Sequence, residues 1–211
     1  MNRKKNLTAN EQIILAIEYL SFAEEYIFRK KELNSLSLAE LLDELQDIEK
    51  EEKESDWGLD RRFRLYTGKL KKIGVSLNLK SKKIEFENKN TPFKIISTYV
   101  KSFCEDYNEQ QLRIFFKSKK EDFYEVLRLF VFIRYAIKYS LVIELELAKS
   151  MNWQTSLRRI IPRYLISKNQ FLDIMGTDLK DKCGKLFPLV NIISIKNNLL
   201  SAYKKRKKSN I

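Results

Sequence analysis

Apolar residues near the N-terminus recur three or four positions apart, so that they share one face of a helix. They are Ile13, Ile14, Ile17, Leu20 and Phe28. Thr8 stands three residues before Glu11, the capping-box spacing that satisfies the free amides of a helix start. The pattern predicts a first helix over about residues 9–29. A second capping box, at Ser37 and Glu40, predicts a short second helix.

A third helix is predicted to end at Gly74, which suits a C-terminal cap. Its apolar positions are spaced four, three, four and three residues apart, the pattern of a helix that packs through one narrow face. They are Leu59, Phe63, Tyr66, Leu70 and Ile73. Alternating residues over 75–79 and 84–87, with a turn at 81–82, predict a two-stranded hairpin. Three helices followed by a hairpin indicate a winged helix-turn-helix, whose third helix enters the major groove of DNA.

The remaining pattern is first helical and then β. Residues 93–107 and 122–139 have helical periodicity, whereas 112–116 fits a helix or a strand equally. Beyond Leu141, short alternating stretches predict four or five strands, with a last helix from about residue 196. The stretches are 141–147, 157–167, 171–175 and 186–195, and Pro188 can introduce a bend in the last one. The predicted fold class is α+β, and the strands favour a small barrel or a curled sheet.

The net charge of +13 is distributed unevenly. Residues 61–83, here called the basic segment, contain nine cations and no acidic residue, and a further basic run follows at 204–208. Such a block favours an anionic partner, nucleic acid before a membrane surface, although charged helix faces also occur without a partner. We expect the cations of the basic segment to contact double-stranded DNA. They are Arg61, Arg62, Arg64, Lys69, Lys71, Lys72, Lys80, Lys82 and Lys83.

The composition argues against most enzyme classes. The chain has no histidine, which removes Ser-His-Asp and Cys-His catalysis, and none of its five glycines stands in a phosphate-binding motif. Cys104 and Cys183 are too far apart in sequence for a metal knuckle and too few for a disulfide framework, which favours a cytoplasmic protein. The sequence has no apolar run long enough to predict a membrane span. We expect no catalytic residue, no metal and no cofactor.

The second half of the chain resembles a WYL domain. The resemblance rests on residues 134–137, the strand at 141–147 and the segment Arg158 to Leu165, which contains Arg-x-x-Pro followed by a leucine. Residues 169–174 fall where the Trp-Tyr-Leu triplet of that family stands, with Leu172 and Asp173 in place of its Tyr and Leu. The segment 61–74 resembles the recognition helix of the winged-helix domain usually fused to WYL.

This resemblance implies a small Sm-like β-barrel that senses a nucleic-acid-like or other anionic ligand and adjusts DNA binding, often in a homodimer. It divides the chain into a winged helix-turn-helix at 1–88, a helical linker at 89–139 and a WYL-like barrel with a basic tail at 140–211. Arg159 and Arg163 match basic groove residues of the family by position, whereas Pro188 and Asn191 replace two of its arginines. The expected ligand-binding residues are Arg158, Arg159, Arg163 and Phe171.

The sequence therefore predicts a DNA-binding transcriptional regulator, a homodimer with double-stranded DNA as partner and a single-stranded nucleic acid or a nucleotide as ligand. Two alternatives use the same basic surfaces: an RNA- or single-strand-binding protein, and a metal-dependent nucleic-acid enzyme. Glu144 and Glu146 share one strand face, with Asp173 and Asp178 further along the chain, and paired carboxylates can hold Mg²⁺. Alternating acids on a half-exposed strand are the simpler explanation.

Overall fold

The computed structural model describes residues 8–23, 67–78, 83–148, 155–168 and 171–196. The chain divides into two compact units, one up to Tyr99 and one from Val100. The predicted second helix, most of the predicted third helix, the turn of the hairpin and the predicted last helix lie outside the described residues. No helix in the described ranges is long and apolar enough to cross a membrane.

The first helix, α1 (Ala9–Ala23), starts as its capping box predicts. The backbone N–H of Thr8 donates to Glu11 Oε2 over 2.7 Å, and the N–H of Glu11 donates to Thr8 Oγ1 over 3.2 Å. Ile17 and Leu20 from the predicted stripe are fully buried. The buried face also holds a carboxyl group, because Tyr99 Oη donates to Glu18 Oε1 over 2.9 Å. Periodicity and capping therefore predict this helix start correctly.

Residues 67–71 are helical and lead into the predicted hairpin. Strand β1 (Val75–Asn78) pairs antiparallel with β2 (Lys83–Phe86), with Val75 opposite Phe86 and Asn78 opposite Lys83. The two strands are confirmed, and β2 begins and ends one residue earlier than its alternating pattern predicts.

Three helices follow, and two of them have a side-chain cap at the start. They are α2 (Thr91–Lys101), α3 (Glu109–Ser118) and α4 (Phe123–Lys138). The side chain of Asn108 accepts from Gln110 N over 2.9 Å at the start of α3. Asp122 Oδ1 accepts from Glu125 N over 2.9 Å at the start of α4. The segment 112–116, which fitted a helix or a strand, is helical. It lies inside an amphipathic helix that Asn108 caps at its N-terminus.

Helix α2 ends six residues before the predicted end at 107. The chain instead forms a two-residue strand, β3 (Cys104–Glu105), which pairs parallel with a later strand. Asp106 adopts a left-handed backbone with φ of 49°, and this conformation does not continue a right-handed helix. The apolar periodicity beyond 101 comes from residues that pack outside a helix, so the predicted extension was wrong.

A sheet of antiparallel strands forms the second half of the chain. Its strands are β4 (Ile143–Ala148), β5 (Thr155–Lys168), β6 (Phe171–Asp178), β7 (Cys183–Pro188) and β8 (Ile192–Lys196). The spatial order is β7-β6-β5-β4-β8, and β3 pairs with the far end of β5. The fold is therefore α+β, as predicted.

Two features of this sheet differ from the simplest prediction. The stretch 186–195, where a bend at Pro188 was considered, contains the end of β7 and most of β8, separated by a 3-10 turn at Leu189–Asn191. Pro188 precedes this turn and has no N–H to continue a ladder. The sheet is also not closed into a barrel: β7 and β8 lie at its opposite edges and do not pair with each other in the described part of the chain.

The two faces of the sheet have different surroundings. Helix α4 packs against β5 and α3 against β6, and Ser167 Oγ donates to Gln111 Oε1 of α3. We call the side that carries Ser167 the helix face. Its buried residues include Ile143, Leu145, Ile160, Leu165 and Ile174. The opposite side, the far face, carries Tyr164, Ile166, Phe171, Asp173, Met175 and Leu186.

Candidate nucleic-acid interface

In the first unit, three lysines lie at the helix end and a fourth is the first residue of the second hairpin strand. Leu70 is buried at 2% exposure, whereas the following Lys71 and Lys72 are exposed. Lys69 is half-buried, and Lys83 is exposed at the first position of β2. The other predicted DNA contacts lie outside the described residues. They are Arg61, Arg62, Arg64, Lys80 and Lys82.

Gly74 connects this helix end to the hairpin. Its φ of +81° is left-handed, the conformation predicted for a helix C-terminal cap. Its carbonyl accepts from Glu87 N over 2.9 Å, which holds the base of the hairpin against the helix end. A Cβ at this position would lie 2.8 Å from Glu87 Oε2. The local backbone therefore fixes the hairpin relative to Lys71 and Lys72.

In the second unit, Arg158 belongs to an internal ion cluster. Its Nη1 lies 3.3 Å from Asp178 Oδ2 and 3.3 Å from Asp181 Oδ2. Lys185 Nζ lies 3.8 Å from Asp178 Oδ2 and also contacts Asp181 Oδ2. The hydrogen bond from Lys185 lowers the pKa of Asp181, and the same bond raises the pKa of Lys185. Two carboxylates thus already neutralise the Arg158 guanidinium.

The other expected ligand residues lie apart from this cluster. Arg159 is exposed and in register with Glu144, on the far face, because adjacent strand residues point to opposite sides. Arg163 is the extra residue of a β-bulge, since pairing passes from Pro162–Gly176 to Tyr164–Met175. Phe171 is 45% exposed and lies opposite Lys168.

The strand separates these residues widely. Arg159 and Lys168 are nine positions apart on β5, which is about 30 Å of extended chain before any bend. The structure therefore spreads Arg159, Arg163 and Phe171 along one strand pair. This arrangement suits an extended ligand better than a single small anion.

From the sequence, Asp173 was considered only as a carboxylate for Mg²⁺ and was not included among the ligand-binding residues. It lies on β6 and is only 5% exposed, and its Oδ1 is buried without a hydrogen-bond partner in the part of the chain that the structure describes. Burial raises the pKa of this carboxyl group. The sequence signal was an aspartate at a position where the WYL resemblance places a leucine.

The other acidic residues take separate positions. Glu146 Oε2 accepts from Ser194 Oγ over 2.7 Å across β4 and β8, and Asp178 lies in the ion cluster. Within the described ranges, no three acidic or cysteine side chains come together as a set that could hold a metal ion.

Comparisons with known proteins gave only structural likenesses. No protein-family model and no curated protein matches the chain. The proteasome accessory factor B/C (PafBC) of Arthrobacter aurescens is similar at a TM-score of 0.31 and 11% identity, over 94% of this chain and 34% of that chain. A CRISPR Cas-related protein is similar at a TM-score of 0.31 and 11% identity, over 97% of this chain and 59% of that chain. The chain thus spans about a third of the first structure and under two thirds of the second.

Proposed function

We propose that the chain is a DNA-binding transcriptional regulator whose second unit binds a nucleic-acid-like ligand. The observation that carries this proposal is the exposed pair Lys71 and Lys72 at a helix end fixed to a hairpin whose second strand begins with Lys83. Lysines so placed neutralise phosphates, and a helix with an adjoining hairpin is a common way of positioning them on a duplex. The absence of acidic residues from 61–83 supports the same function.

The second unit supports the ligand-binding part of the proposal. Arg159, Arg163 and Lys168 are exposed along β5, and the aromatic ring of Phe171 lies at the end of the same strand pair. Cations that follow a strand together with an exposed aromatic ring are typical of surfaces that bind single-stranded nucleic acid. The same observation favours the second candidate function, an RNA- or single-strand-binding protein without a duplex target.

The resemblance to WYL regulators implies a homodimer, and we include it in the proposal. A two-fold dimer would present two copies of the helix end and hairpin to a pair of half-sites, which are spaced about one helical turn apart in such complexes.

The test measures duplex affinity against salt for the Lys71→Ala/Lys72→Ala variant of the full chain. Each phosphate contact adds about 0.9 to the slope of log affinity on log salt, so the double substitution should reduce the slope by about 2. The control is Lys101→Ala/Lys117→Ala, which removes the same charge from exposed helix positions elsewhere.

An unchanged slope in the control and a reduced slope in the first variant support the proposal. Equal slopes in the two variants would contradict a duplex-binding role for this helix end. A wild-type chain that binds single strands and no duplex would establish the second candidate instead.

A further inference from the structure

The far face of the sheet holds a buried carboxyl group whose direct neighbours across and along the strands are apolar. Asp173 is 5% exposed and its Oδ1 has no hydrogen-bond partner among the described residues. Its register neighbours are Ile166 on β5 and Pro188 on β7, whose side chains donate no hydrogen bond. On its own strand Phe171 and Met175 flank it on the same face, and neither donates one.

Such a group is costly to bury and calls for an explanation. A buried acceptor without a donor destabilises the folded state, and native proteins keep few of them. A metal ion is a poor occupant, because Mg²⁺ and Ca²⁺ take several oxygen ligands and neither register neighbour of Asp173 supplies a carboxylate. A hydrogen-bond donor on a bound molecule would supply the partner that this carboxyl group lacks.

The surface around Asp173 fits a flat, mostly apolar molecule. Phe171 is 45% exposed and Leu186 is 43% exposed, and both are on the far face. Same-face residues two apart on a strand are about 7 Å apart, so the distance from Phe171 to Asp173 matches the length of a nucleic-acid base. Stacking on an aromatic side chain is the usual way in which proteins hold an unpaired base.

Positive charge borders this surface. Lys168 is exposed and directly opposite Phe171, and Arg163 is exposed at the bulge of β5. A bulge adds one unpaired residue and redirects the side chain that it carries. Both cations lie on the strand next to Asp173 and can neutralise backbone phosphates of a bound strand.

We propose that Asp173 accepts a hydrogen bond from the exocyclic amine of a base in single-stranded nucleic acid, with the base stacked on Phe171. This rests on the proposed function, because it specifies the ligand of the second unit. Adenine, cytosine and guanine carry such an amine, whereas thymine has O4 at the equivalent position. The only donor of the thymine ring, N3–H, lies between two carbonyl oxygens that repel a carboxylate. The site therefore discriminates against thymine.

The experiment is a competition with the full chain at low salt. A labelled (CA)₄ strand is displaced by unlabelled (CA)₄ or by unlabelled T₈, which have equal length and charge, so contacts to basic surfaces elsewhere contribute equally. We expect displacement to need about tenfold more T₈ than (CA)₄, the ratio set by one hydrogen bond to a buried acidic group. Asp173→Leu and the smaller Asp173→Ala should both reduce this ratio to about one.

Two controls separate base recognition from folding and from charge. Glu125→Gln removes one negative charge from a side chain that is 59% exposed and should keep the tenfold ratio. The melting temperature of Asp173→Leu should not fall below that of the wild type, because the substitution removes an unpartnered carboxyl group.

Equal displacement by (CA)₄ and T₈ in the wild type would overturn base recognition and leave nucleic-acid binding by the chain intact. A tenfold ratio that survives both Asp173 substitutions would show that another residue discriminates. If neither strand binds at low salt, both this inference and single-strand binding as a proposed function fail.

Discussion

Two buried aspartates on strand β6 have opposite surroundings. Asp178 is fully buried, and its Oδ2 faces Arg158 at 3.3 Å and Lys185 at 3.8 Å. Its Oδ1 also accepts from Lys180 N over 2.8 Å, which holds the turn after β6. Asp173 has none of these partners, and burial raises its pKa. A buried charge is tolerated when it is paired and hydrogen-bonded, so Asp178 has a structural explanation and Asp173 does not.

The raised pKa of Asp173 predicts a pH dependence of stability. A carboxyl group whose pKa is higher in the folded than in the unfolded state binds its proton more tightly when folded. The free energy of unfolding should therefore fall as pH rises above the ordinary value of 3.8, and level off once pH exceeds the folded pKa.

Denaturant unfolding at a series of pH values checks this prediction, with Asp173→Asn as the non-titrating reference. Relative to this variant, the wild type should lose stability between acidic and neutral pH. A difference between the two proteins that stays constant with pH, or that grows in favour of the wild type at neutral pH, would contradict the prediction.

Arg158 shows what a sequence pattern cannot reveal about a side chain. Arg158 was expected to bind the ligand, but the structure pairs it with two aspartates that come 20 and 23 positions later. These contacts depend on the register of β5 against β6 and on the turn that follows. The sequence does not show how β5 aligns with β6, so the ion pairs of Arg158 could not be predicted from it.

At the scale of elements, local signals were the reliable ones. The capping box of α1, the cap at Gly74 and the alternation of β1 and β2 each depend on neighbouring residues, and each was predicted from them. Elements that depend on distant contacts were not. The strand β3 exists because it pairs with Leu165 and Ile166, some 60 residues later, and its alternation is too short to recognise.

Gly74 provides a prediction at this scale. Gly74→Ala should lower the free energy of unfolding by about 1–2 kcal/mol, because φ of +81° is unfavourable for alanine and the new Cβ would meet Glu87 Oε2. Denaturant unfolding followed by circular dichroism measures the change.

The matched control is Gly68, which lies in the helical residues 67–71 with no atom within 4 Å of an added Cβ. Gly68→Ala should raise the free energy of unfolding by about 0.5–1 kcal/mol, since alanine is the better helix former. The same sign of change at the two glycines would contradict the left-handed cap conformation of Gly74.

At the scale of the whole molecule, positive charge is the feature that both units contribute to the proposed function. The chain carries +13, and exposed cations occur both near the hairpin and along β5. The fold class could be predicted because helical and alternating periods are visible in the sequence. The open sheet could not be predicted. Only a short turn separates β7 from β8 in the sequence, yet the two strands lie at opposite edges of the sheet, and the sequence pattern does not show this.

The central claim, that the chain binds duplex DNA through its phosphates, is tested most directly by the affinity of the full chain for duplex DNA over a range of salt concentrations. If about five phosphates are neutralised, log affinity should fall against log salt with a slope near −4.5. A slope near zero, or no duplex binding at low salt, would contradict the account.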